Sequence, residues 1–222
     1  MSYMRRASRK KRPKLCDRLG LKLSTNRRID GLWIGTSSDQ PNCLLDRVEE
    51  ALSLIKKCDR PRYNRLIRDL ERVWVRVVPH GLGTYNEALA ACELDERFVL
   101  ADTTSLELIA ATIVHEATHS RLLRCGIGYG ESLRARVEAV CFRREIAFAA
   151  KLPNGEQVRQ RAERGLEWSA VPGYWSDTTF NERYVDGGAK ALHYLGAPDW
   201  LVRGAVAARA LRLSIKRRLR RP

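Results

Sequence analysis

Apolar residues recur along the chain at two spacings, and the switches between them mark out the elements. Leu44 to Lys57 (LLDRVEEALSLIKK) places them three and four apart, which predicts a helix interrupted by Asp59-Arg60-Pro61. Arg62 to Arg72 predicts a second helix, completing a short helical hairpin. Val73 to Val78 (VWVRVV) is rich in β-branched and aromatic residues and predicts a strand. A Gly-rich loop follows, His80-Gly81-Leu82-Gly83-Thr84, and Glu93 to Ala101 (ELDERFVLA) predicts another strand. Thr104-x-x-Glu107 is a capping-box pattern ahead of SLELIAATIVHEATHSRLLRC, which Gly126-Ile127-Gly128 ends. A further helix is predicted from Glu131 to Lys151, stopped by Pro153-Asn154-Gly155. The segment 156–196 is predicted to be helical with loops around Pro172-Gly173, and a last helix to begin near Pro198.

The helix over 105–124 differs from the others. At about 100° per residue, Leu106, Ile109, Ala110, Ile113 and Ala117 form one stripe, and Leu108, Ala111 and Leu122 lie opposite, beside His115 and His119. A helix apolar nearly all round is an interior helix. Within it, His115-Glu116-Ala117-Thr118-His119 is an HExxH motif. Residues four apart project from one helical face, so the two imidazoles can grip one metal ion, with Glu116 beside them to take a proton from a metal-bound water. Zn²⁺ suits such ligands, and a catalytic zinc normally takes a third protein ligand. Three acids seven apart on the next helix are candidates. Glu131 sits in the first turn, where an acid stabilises the helix N-terminus. Glu145 follows Arg143-Arg144 and reads as a surface charge. Glu138 lies among Ala135, Ala139 and Phe142, where a carboxylate needs either a metal or a buried arginine.

HEATH followed by a helix-borne Glu138 resembles the gluzincin group of zinc metallopeptidases. Glu138-Ala139 through Phe148-Ala149-Ala150 to Leu152-Pro153 is loosely similar to the metallopeptidase modules of the ImmA/IrrE kind. The resemblance covers about residues 93–153. It implies a mainly helical α+β fold, with a small β-sheet packed on the HExxH helix of a zincin-like core. It also implies zinc held by His115, His119 and Glu138, with Glu116 as general base and a peptide or protein as substrate. A strand just before the active helix, part of 93–101, would pair with extended substrate. The residue that stabilises the oxyanion is open between Tyr129, Tyr174, Tyr184 and His193. His80 reads as a loop residue.

Charge changes the picture at the two ends. Residues 1–14 carry seven Lys/Arg and 203–222 carry eight, neither with an acid, so the net charge of +15 resides there and the stretch between is neutral. A nucleic-acid-binding domain usually carries its charge on the folded body. The expected organisation is therefore a basic arm over 1–30, a catalytic domain over 31–196 and a basic amphipathic helix over 197–222. In that helix Trp200, Gly204, Ala208, Leu211, Ile215 and Leu219 share a face, with Arg209, Arg212 and Lys216 across from them. It can dock on the core, lie on an anionic membrane or grip nucleic acid. A basic adaptor with a structural metal is thus the competing function. The basic N-terminus lacks an apolar signal-peptide core, and the six cysteines show no CxxC pair, so reduced thiols and a cytoplasmic location are expected.

Overall fold

The computed structural model describes residues 12–218, and the side chains of residues 12–212. The chain runs α1 (Leu15–Leu23), β1 (Thr25–Ile29), β2 (Leu32–Thr36), α2 (Pro41–Cys58), α3 (Arg60–Asp69), β3 (Arg72–Arg76), β4 (Gly83–Asn86) and β5 (Ala91–Asp95). It continues through α4 (Glu96–Leu100), α5 (Leu106–Arg124), α6 (Glu131–Ala149), α7 (Glu156–Ala170), α8 (Asp177–Tyr194) and α9 (Asp199–Arg218). The protein is α+β and mainly helical, with one mixed five-stranded sheet in the order β1-β2-β3-β5-β4. Strands β2, β3 and β5 are parallel, and β1 and β4 are antiparallel edges.

The parallel pair β2–β3 requires a crossover, which α2 and α3 supply. Pro41 and Pro61 sit in the first turns of these helices, where a missing N–H costs nothing, and the Asp59 carboxylate caps α3 by accepting from Arg62 N. Leu44, Leu45, Val48, Leu52 and Ile55 of α2 then bury against Ile34, Val73, Val75 and Leu94 of the sheet and against Ile109 and Ile113 of α5. The opposite face of the sheet carries a smaller cluster, Trp74, Leu89 and Ala91 with Trp33, onto which Leu21 of α1 packs.

Four expectations need correction. The basic arm does not extend to residue 30: α1 and β1 are folded, and β1 pairs with β2 from Thr25↔Thr36 to Ile29↔Leu32. The cause is the turn Asp30-Gly31, both at positive φ (48° and 86°), which supplies the twist that two antiparallel strands need. The segment 93–101 is not one strand. The Asp95 carboxylate accepts from Arg97 N, ending β5 and starting α4. Nor is β5 open to a substrate, because it lies between β3 and β4; the edge on this side of the sheet is β4. Helix α5 is capped by Ser105, whose hydroxyl accepts from Leu108 N, so the Thr104 capping box does not form. Of the three readings open for α9, docking through its apolar face is not seen among the described side chains: Trp200, Gly204, Ala208 and Leu211 are exposed, whereas Val202 is buried and Arg209 lies over the Tyr184 ring. Residues 1–11 and 219–222, with much of the terminal charge and Leu219, lie outside the described residues, as do the side chains of Ile215 and Lys216.

Candidate metal centre

Helix α5 is buried on every side from Leu108 to Glu116, as its all-round apolar pattern requires. Helix α6 crosses it and brings Glu138, Cys141 and Glu145, at helical spacings, onto His115 and His119. The side chains of His115, Glu116, Glu138 and Glu145 are all buried. Glu138 faces both imidazoles: Oε2 lies 3.2 Å from His115 Nε2 and Oε1 lies 3.5 Å from His119 Nε2. Ligands held at 2.0–2.2 Å by one tetrahedral zinc stand about 3.3–3.5 Å from each other. Cys141 lies in the same cluster, and the ligand atoms of His115, His119 and Cys141 fall within 4.8 Å of one another. This buried group can bind a metal ion.

Glu145 is not a surface charge. Its side chain is 0% exposed; Oε1 lies 2.5 Å from His115 Nδ1, and Oε2 accepts from Arg161 Nη2 of α7 at 2.8 Å. The carboxylate fixes the tautomer, with a proton on Nδ1, and so aims Nε2 at the cluster. Arg161 is what permits the burial, because its positive charge replaces the stabilisation that the carboxylate loses with its hydration. Glu145→Gln should weaken metal affinity by about 10–100-fold without unfolding the protein, measured by competition with a chromophoric chelator.

The remaining candidates separate clearly. The Tyr129 hydroxyl donates to Glu138 Oε1, and its ring stands 5.2 Å from that of His119. Tyr174 stacks on Trp168, Tyr184 packs on His80, and His193 is exposed near Asp199, so none of these three bonds the cluster. His80 lies in the loop between β3 and β4, against Phe180. Glu131 is exposed and accepts from Asp177 N, anchoring the start of α8. Above the site, Arg134 of α6 bonds Trp175 O and Asp177 and sits over the Tyr129 and Phe180 rings, tying α8 across the cluster. Sequence reasoning missed Cys141 and the inward role of Glu145; the signals available were the i, i+3 and i, i+7 spacings from Glu138.

Glu116 stands apart from the other acids. Among the described residues its carboxylate has no hydrogen bond and no ion pair, though it is buried. Burial, with the charges of Glu138 and Glu145 adding to it against His115, pushes its pKa up to about 7. Burial lowers the pKa of His119 to about 4. Burial also opposes ionisation of Glu138, yet the hydrogen bond and charge of His115 outweigh it and hold that carboxyl at about 2. Three buried acids crowd one pocket against a single guanidinium and the His115 imidazole, an acid-rich setting that favours a cation. The donor set therefore fits a metal ion in number, type, spacing and charge.

Edge strand β4 lies directly beside this group. A Cβ on Gly83 would stand 2.9 Å from Thr112 Cγ2 and 3.4 Å from Glu116 Cγ, so only glycine lets the strand rest this close to α5. Leu82 O accepts from Asp95 N at 2.9 Å. The alternation of an antiparallel pair then turns Thr84 and Asn86 toward β5 and leaves the N–H and C=O of Gly83 and Tyr85 on the open side. A separate cleft of about 520 Å³ at the ends of β2 and β3, lined by Ser38, Arg76, Glu96, Tyr194 and Leu195, contains none of the imidazoles. Among the described residues no helix is long and apolar enough to cross a membrane. Comparison with known proteins returns no significant match to a family model, a curated protein or a solved structure.

Proposed function

We propose that the protein is a zinc-dependent peptidase with a zincin-like core, in which His115, His119 and Glu138 hold the metal and Glu116 is the general base. The observation that carries this reading is the Glu116 carboxylate. A buried acid with no protein partner, one residue from one metal ligand and three from the next, is a costly packing choice unless it has a proton to move. When bound, zinc supplies a Lewis acid that polarises a carbonyl and activates water at neutral pH. Glu116 takes the proton of the attacking water and can pass it to the leaving amine. Glu145 holds the Nδ1 proton of His115, and Tyr129 orients Glu138. The open edge of β4 aligns an extended peptide by backbone hydrogen bonds at Gly83 and Tyr85, beside Glu116. This edge takes the role that the resemblance assigned to 93–101.

Glu138 is favoured over Cys141 as third ligand because its oxygens already stand at tetrahedral spacing from both imidazoles. A thiolate would add a further negative charge to a site that already holds three carboxylates. The second reading rests on that same cysteine. If both Glu138 and Cys141 were ligands, the coordination would be closed and the metal structural, as in a basic adaptor.

The test is the metal content of the purified protein by mass spectrometry, beside a His115→Ala control, followed by a screen of peptide substrates. One equivalent of zinc, lost in the control, together with chelator-sensitive cleavage is the expected result. A folded protein purified without chelators and carrying no zinc overturns the proposal.

A further inference from the structure

Helix α1 has two apolar sides, and only one of them is used by the fold. Its inner side is fixed to the sheet: Gly20 lies against Trp74, where an added Cβ would stand 2.8 Å from the ring, and Asp17 pairs with Arg76 Nη1 at 3.1 Å. Leu21 completes that contact. On the outer side Leu15, Leu19 and Leu23, at i, i+4 and i+8, are 70%, 52% and 80% exposed. Three leucines stacked on two turns of helix and left in water are not the scattered apolar residues of an ordinary surface. Arg18 and Lys22 run along one flank of the stripe and Arg12 and Lys14 precede it, all exposed, and none forms an ion pair among the described residues. The sequence adds Arg5, Arg6, Arg9, Lys10 and Lys11 immediately before them.

We infer that the outer face of α1 is a docking surface for an anionic lipid bilayer, which holds the protein at the membrane plane. The combination selects the partner. Nucleic acid would engage the cations and leave the leucines in water. A protein partner would have to supply an apolar groove and, beside it, acids enough to meet this whole run of cations. A bilayer requires only one face, buries leucines at the depth of the acyl chains and meets lysine and arginine with lipid phosphates. The corner between α8 and α9 points the same way. Leu195 and Trp200 there are 65% and 68% exposed, and Arg76, which holds α1 through Asp17, also lines the cleft against Tyr194 and Leu195.

The experiment is co-sedimentation of the full chain with phosphatidylcholine vesicles, with and without about one-third phosphatidylserine. The wild type should sediment with the anionic vesicles only. A Leu15→Ser/Leu19→Ser/Leu23→Ser variant, with every cation retained and an unchanged melting curve, should bind about tenfold or more weakly. In a Leu19→Trp variant the added indole should be quenched by brominated lipid, read as the difference from the parent protein. Equal sedimentation of the triple variant, an unquenched Trp at position 19 on bound protein, or binding to single-stranded RNA but not to vesicles each overturns the inference.

Discussion

Glu116→Gln is expected to lower peptide hydrolysis by about 10²–10⁴-fold while the zinc content stays at that of the wild type. The amide occupies the volume of the carboxylate, so α5 and the Gly83 contact are retained, but it cannot accept the proton of the attacking water. A second readout comes from the same residue. The wild-type carboxylate is buried without a partner, and burial raises its pKa, which means that the folded state is penalised for holding it ionised. Replacing it with a neutral group removes that penalty, so the melting temperature of the variant should equal or exceed that of the wild type. Loss of activity with gained stability is the signature of a functional residue. Retained hydrolysis in this variant would eliminate Glu116 as the base, whatever the metal content.

The HExxH helix was legible in sequence because its environment is written into it: a segment apolar on all sides has to be interior, and α5 is. Glu138 was legible for a related reason, since Ala135, Ala139 and Phe142 promised a carboxylate among apolar neighbours. Glu145 was not. Arg143 and Arg144 beside it are exposed, while the guanidinium that balances it, Arg161, arrives from another helix sixteen residues later. Partners brought together by helix packing leave no local trace.

The sheet was read in part, for similar reasons. Val73 to Val78 was recognisable by β-branching, although β3 ends at Arg76. The hairpin β1–β2 was concealed by the charge of residues 1–14, which drew the whole N-terminus into one arm. The Asp30-Gly31 turn between TNRRI and LWIGT was the local signal for it. The position of β4 outside β5 depends on how a short hairpin folds back. Its consequence, an open edge beside Glu116, rests on Gly83, a residue that the sequence marked only as part of a Gly-rich loop.

The identity of the third ligand separates an enzyme from a structural site, and two variants on one helix decide it. Glu138 and Cys141 are one turn apart on α6, both buried, both facing His115 and His119. If Glu138 is the ligand, Glu138→Ala should weaken zinc binding by more than the about 10–100-fold expected for an outer partner such as Glu145. Cys141→Ala should then keep its zinc and most of its activity. Loss of Glu138 also removes the acceptor of the Tyr129 hydroxyl and the counter-charge of His115, so the melting temperature of the metal-stripped variant should fall as well. The opposite pattern, zinc lost with Cys141 and retained with Glu138, places the metal among two imidazoles and a thiolate. Zinc weakened equally by both substitutions points to four protein ligands and no position for water. In that case Glu116 has nothing to deprotonate, and the chain is a basic adaptor held together by its metal.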